Sequence, residues 1–158
     1  GFSTLVDGYT VTEKLKKDFP SFYKVLTEVK VRFQFIDQSV ILEDWAEMIQ
    51  LDENKKFKQV RFSPRLDFVP LIEKKKLELY YLARKKLSEL YNSENFKIRF
   101  KLMPGDLLMM DNHRLLHGRT SYNANDGNRY LQGCYIDYDS TEGKLRYLAK
   151  KYEKKLND

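Results

Sequence analysis

The strongest constraint on this chain is a period of two. In "KVRFQFID", Val31, Phe33 and Phe35 alternate with Lys30, Arg32 and Gln34, and "FKIRFKL" and "RYLQGCYIDYD" alternate in the same way. Neighbouring side chains of a strand point to opposite faces, so these runs predict strands with one face buried. "KQVRFSP" predicts another, ended by Pro64, and "LLMMD" a fully buried one after the turn at Pro104-Gly105. "STLVDGYTV" reads as a short strand followed by a turn at Asp7-Gly8.

Helical spacing is confined to fewer places. From about Val69 to Tyr91, the residues Ile72, Leu79, Ala83, Leu87 and Leu90 fall on one stripe with charges around them. Thr12 is placed as the N-cap of "EKLKKDF", Pro20 ends that helix or starts another, and Phe22, Val25, Leu26 and Val29 repeat at helical spacing. Residues 39–50 follow neither period, and a basic helix closes the chain. Mostly short strands, one long helix and two or three shorter ones predict a mainly β fold with flanking helices, a β-sandwich or jelly roll.

At 158 residues the chain is sized for one domain. A hydrophobic share of 42%, with 11 Tyr and 10 Phe, is enough for a core. The single Cys134 excludes an internal disulfide and a cysteine-based metal site. No apolar run approaches the ~18 residues a membrane-spanning helix needs. The net charge of +6 falls mainly in "EKKKLELYYLARKKL" and "KLRYLAKKYEKKL", where acids are mixed in. That patterning fits solvated helix faces, and no phosphate loop or RNA-binding motif accompanies it, so neither nucleic acid nor membrane is expected as a partner.

Both histidines, His113 and His117, lie in "GDLLMMDNHRLLHGRTSY". No Glu stands beside His113 as in helical zinc sites. In a strand, side chains four apart share a face but stand about 13 Å apart, too far for one metal. At most one is a ligand, and His117, just before Gly118 at the edge of the apolar run, is the better placed. Arg129 starts the next strand, so a hairpin would bring it to the same cavity, where its fork could hold a carboxylate. An imidazole suits iron in a site of two histidines and one carboxylate; a structural histidine beside an arginine explains the same spacing.

The combination of "DNHRLLHGRTSY", "NRYLQGCYIDYD" and "GKLRYL" closely resembles the C-terminal half of the γ-butyrobetaine and trimethyllysine dioxygenase family, Fe(II)/2-oxoglutarate oxygenases of carnitine biosynthesis. The opening "GFSTLVDGYTVTEKLKKDFPSFYKVL" and "KLMPGDLLMMDN" resemble it too, so the likeness runs from residue 1 to about 148 and is weakest between 38 and 58. The resemblance implies a partial double-stranded β-helix, or jelly roll. It implies that His117 is an iron ligand, that Arg129 pairs with a 2-oxoglutarate carboxylate, that Arg119 helps line the site, and that Tyr135 belongs to the substrate pocket. The implied cofactors are Fe(II), 2-oxoglutarate and ascorbate. The implied substrate is a small quaternary ammonium molecule, held in an aromatic cage by cation–π attraction.

"IDYDSTEGKLRYL" and the 117–129 loop resemble the γ-butyrobetaine branch of the family more closely than the trimethyllysine branch, which implies hydroxylation of γ-butyrobetaine to carnitine, with trimethyllysine hydroxylation as the alternative. The relatives form homodimers, to which the long helix could contribute. The expected location is cytoplasmic, with mitochondrial as the alternative. His113 departs from the family's usual Trp and is expected as a packing residue or one supporting the ligand. The larger departure concerns the family's His-x-Asp ligand pair, which precedes the first strand, because no histidine precedes His113. Residues 1–158 are therefore expected to be the C-terminal part of one catalytic domain, inactive by itself. A diverged, non-catalytic interaction domain is the other explanation.

Overall fold

The computed structural model describes residues 1–121 and 130–154, in two units, Gly1–Asn123 and Ala124–Asp158. The first unit begins with strand β1 (Ser3–Asp7), whose last residue caps helix α1 (Gly8–Asp18). The Asp7 carboxylate accepts from the Tyr9 N–H, satisfying one of the donors a helix start leaves open. Val11 and Leu15, four apart, bury the inner face of α1, and Lys16 and Lys17 complement the dipole at its end. Pro20 opens helix α2 (Pro20–Glu28), where a missing N–H costs nothing.

Strands β2 (Lys30–Ile36) and β3 (Ile41–Glu47) pair antiparallel over seven residues. Strands β4 (Ile49–Leu51) and β5 (Phe57–Val60) form a second antiparallel pair, irregular between Gln50 and Leu51. Helix α3 (Lys74–Asn92) follows, burying Tyr80, Ala83, Leu87 and Tyr91 at helical spacing. Strands β6 (Lys97–Phe100) and β7 (Leu115–Arg119) flank β1 in a three-stranded antiparallel sheet of order β6-β1-β7. The core joins Val6 of β1 to Val11 and Leu15 of α1, Val25 and Leu26 of α2, Met48, Ile49 of β4, Val60 of β5, and the inner face of α3. Each fully buried Leu or Ile contributes roughly 1.5–3 kcal/mol against exposure. In the second unit, helix α4 (Tyr138–Lys151) has no buried residue.

The architecture corrects the expected jelly roll. Among the described residues it is a mixed α/β fold with three small open antiparallel sheets, none closed into a barrel. Two segments expected as strands make the difference. Residues 107–110 pair with nothing among the described residues, and Leu107 and Met109 are 90% and 84% exposed. Residues 130–137 likewise form no ladder among the described residues. An apolar run becomes a buried strand only when a neighbour supplies backbone partners and cover. Two helix boundaries also differ. Asp7, not Thr12, caps α1, leaving Thr12 buried within the helix, and α3 starts at Lys74 because Pro70 lies in the irregular segment before it.

Candidate functional site

The β6-β1-β7 sheet has two unlike faces. Val6 and its cross-strand neighbour Leu116 point into the core. One residue along, Leu5 is flanked by Ile98 on β6 and His117 on β7. Strand alternation therefore sends His117 to the face away from the core, where it is exposed. Ser3, flanked by Phe100 and Arg119, lies on that same face. His117 and Arg119, two residues apart on one strand, stand about 7 Å apart. An imidazole and a guanidinium thus share an open sheet face with Leu5, Ile98 and Phe100.

The turn before β7 is tied down from three directions. Asp111 accepts from the His113 N–H through its side chain and from the Leu115 N–H through its carbonyl, closing the turn. The His113 carbonyl accepts from Val60 N–H and the Arg114 carbonyl from Gly8 N–H. His113 is exposed and lies in this turn, not on a strand with His117, and its backbone carbonyl helps anchor the segment. The third tie is ionic. Arg114 donates from Nε to Asp7 Oδ1 at 2.9 Å and from Nη2 to Asp7 Oδ2 at 2.8 Å. With Tyr9 N–H on Oδ1 and the Thr10 hydroxyl on Oδ2, the carboxylate accepts four hydrogen bonds, about its full capacity. The Arg114 fork, chiefly, holds the Asp7 carboxyl well below the usual range, at about 2. Arg114 also lies over the Tyr9 ring, 5.2 Å from its centre.

Gly8 sits where these ties meet. A Cβ there would fall 2.5 Å from Val60 Cγ1 and 2.7 Å from the Arg114 carbonyl oxygen, so only glycine fits the crossing. The Asp7–Arg114 pair is the feature that sequence reasoning missed. Both residues lie in the segments that carried the family resemblance, but 107 positions apart, and no local pattern links them.

The other expected site residues are distributed as follows. Arg119 is on the open face with His117. Tyr135 belongs to the second unit and is 86% exposed. Arg129 lies outside the described residues. The expected metal-binding centre is corrected: among the described residues no group of three or more His, Cys, Asp or Glu could hold a metal ion. The carboxylate of β1, Asp7, is already saturated by its four donors and offers no lone pair to a cation. The described residues by themselves therefore do not fit Fe(II).

Residues 1–135 match the Taurine catabolism dioxygenase TauD, TfdA family. The chain belongs to this family. Proteins similar to the chain include γ-butyrobetaine and trimethyllysine dioxygenases. The chain is 34% identical to the human Gamma-butyrobetaine dioxygenase over 97% of its own length and 41% of that protein. It is 29% identical to the Pseudomonas sp. (strain AK-1) Gamma-butyrobetaine dioxygenase over 95% of its length and 39% of the relative. For the Bos taurus mitochondrial Trimethyllysine dioxygenase the figures are 29%, 94% and 36%. The chain thus spans about two-fifths of the length of these relatives. No helix among the described residues is long and apolar enough to cross a membrane.

Proposed function

We propose that this chain is the C-terminal part of the catalytic domain of a 2-oxoglutarate-dependent oxygenase that hydroxylates γ-butyrobetaine to carnitine. The observation that carries this reading is His117 of "LHGR", on a short strand in register with β1, facing away from the core beside Arg119. The names of the relatives supply the substrate class, a small quaternary ammonium molecule, and the 34% identity to the human γ-butyrobetaine enzyme supports γ-butyrobetaine over trimethyllysine. In such a reaction one oxygen atom of O2 enters the substrate C–H bond. The other enters succinate as 2-oxoglutarate loses CO2. In the full-length protein Fe(II), held in part by His117, would supply the oxygen chemistry, with ascorbate as the reductant.

The work of this chain is placement. His117 offers one imidazole nitrogen to a centre that the described residues do not complete. Arg129, and with it Arg119, offers a guanidinium to a carboxylate of 2-oxoglutarate, where a planar fork gives both charge and orientation. Tyr135 offers an aromatic face to the trimethylammonium group. The apolar neighbours Leu5, Ile98 and Phe100 exclude water from beside the imidazole once that face is covered.

The full-length protein tests this directly. With γ-butyrobetaine, succinate and carnitine should form in equal amounts, and His117→Ala should abolish both. Consumption of trimethyllysine without γ-butyrobetaine hydroxylation would replace the substrate assignment. Unchanged 2-oxoglutarate turnover in the His117→Ala protein would remove the ligand assignment.

A further inference from the structure

The strand that carries His117 is poorly specified by its own packing. β7 has five residues and lies at the edge of the described sheet. Gly118 brings no side chain, His117 and Arg119 are exposed, and only Leu115 and Leu116 are partly buried. Such a strand can slip along its neighbour at little cost in buried area. A slip of one residue, about 3.3 Å, would turn His117 onto the core face and send Leu116 out. A slip of two would keep the face but carry the imidazole about 7 Å along β1.

Register is fixed at the first rung. Leu115 stands opposite Asp7, and the residue just before it, Arg114, is the one that grips the Asp7 carboxylate with both arms of its fork. The Arg114 carbonyl meanwhile accepts from Gly8 N–H at 2.9 Å, so side chain and backbone index the same position from both sides. A bidentate pair tolerates little displacement, because moving either partner breaks two charge-assisted bonds together. We propose that Asp7 and Arg114 are positioning residues that set the register of β7 and so place His117 and Arg119 on the open face. This rests on the oxygenase reading for its consequence in turnover, but not for its consequence in the strand itself.

The experiment uses the full-length protein with Asp7→Asn, Arg114→Gln and Arg114→Lys. Asn caps a helix as well as Asp, so Asp7→Asn keeps the start of α1 while losing the anionic fork partner. Lys keeps the charge of Arg114 and loses the bidentate geometry. Amide hydrogen exchange, resolved by strand, is read beside kcat and KM for γ-butyrobetaine-dependent succinate formation. In Asp7→Asn and Arg114→Gln, the amides of β7 should exchange about tenfold faster with those of β6 unchanged. In the same variants kcat should fall about tenfold with KM within about twofold, and Arg114→Lys should lie between them and the parent. Unchanged exchange in β7, or equal loss in β6 and β7, would overturn the proposal, the latter because the pair would then merely stabilise the unit. A loss confined to KM would overturn it as well. If the parent protein turns over neither γ-butyrobetaine nor trimethyllysine, the oxygenase reading fails and the exchange data alone still decide the register.

Discussion

At the scale of single residues, Asp7 does two jobs with one carboxylate, and its ionisation ties both to pH. Its carboxyl titrates at about 2 in the folded chain against 3.8 ordinarily. A depressed folded value means that the stabilisation is fully present above about pH 4 and is lost as pH falls toward 2. Without screening by solvent, the full shift would amount to roughly 2 kcal/mol. The Arg114 side chain is half exposed, so solvent screening reduces this to about 1 kcal/mol. Denaturant titrations should show Asp7→Asn less stable than the parent by about that amount at pH 7, with the gap closing near pH 2. A gap that stays constant with pH would mean that the ionised Asp7–Arg114 pair is not its source. The dual role was not legible in the sequence. Asp-Gly is a strong turn signal, and an aspartate before a glycine reads as a turn until a distant arginine is known to lie across it.

At the scale of elements, the helix–strand junctions are where local rules and tertiary contacts compete. Gly8→Ala should raise helix propensity by about 0.8 kcal/mol on its own. Its Cβ would instead meet Val60 and the Arg114 carbonyl at under 3 Å, and neither the backbone carbonyl nor a core valine can yield freely. The net effect should be destabilisation by about 2 kcal/mol, visible as a lowered thermal midpoint. An unchanged or raised midpoint would show that the junction has slack. Elements with an unmixed period were readable from sequence: the alternation of 30–36 became β2, that of 97–100 became β6, and Ala83 and Leu87 became the buried stripe of α3. Tyr80 and Tyr91 were missed on that stripe, because a phenol is not counted as core by pattern. Among the described residues both hydroxyls are nevertheless buried without a hydrogen-bond partner, and burial pushes each well above the usual phenol range. The segment "ILEDWAEMIQL" hid β3 and β4, because Glu43, Asp44 and Trp45 of β3 are all exposed and leave no alternation to read.

At the scale of the whole molecule, the family was legible and the architecture was not. The motif around His117 and the strand–helix opening fixed the kinship that the match over residues 1–135 shows. Closure of the sheet was inferred from runs that look like strands, and whether such runs pair depends on partners that no single run encodes. The same distinction applies to the site: His117 could be picked out by its motif, whereas its placement depends on a contact between positions 7 and 114.

The two-faced sheet has a practical corollary for anyone handling this polypeptide by itself. Its first unit keeps one side of β1 against helices and presents Leu5, Ile98 and Phe100 on the other, while Phe35, Ile36, Ile41 and Leu42 crown a hairpin that stands in solvent. Oily surfaces of that kind are rarely tolerated by a lone soluble particle. Purified residues 1–158 should therefore light up a dye such as ANS and elute from a sizing column as a broad, concentration-dependent distribution; a sharp, dye-silent monomer peak would show that these side chains are better sheltered than their positions imply.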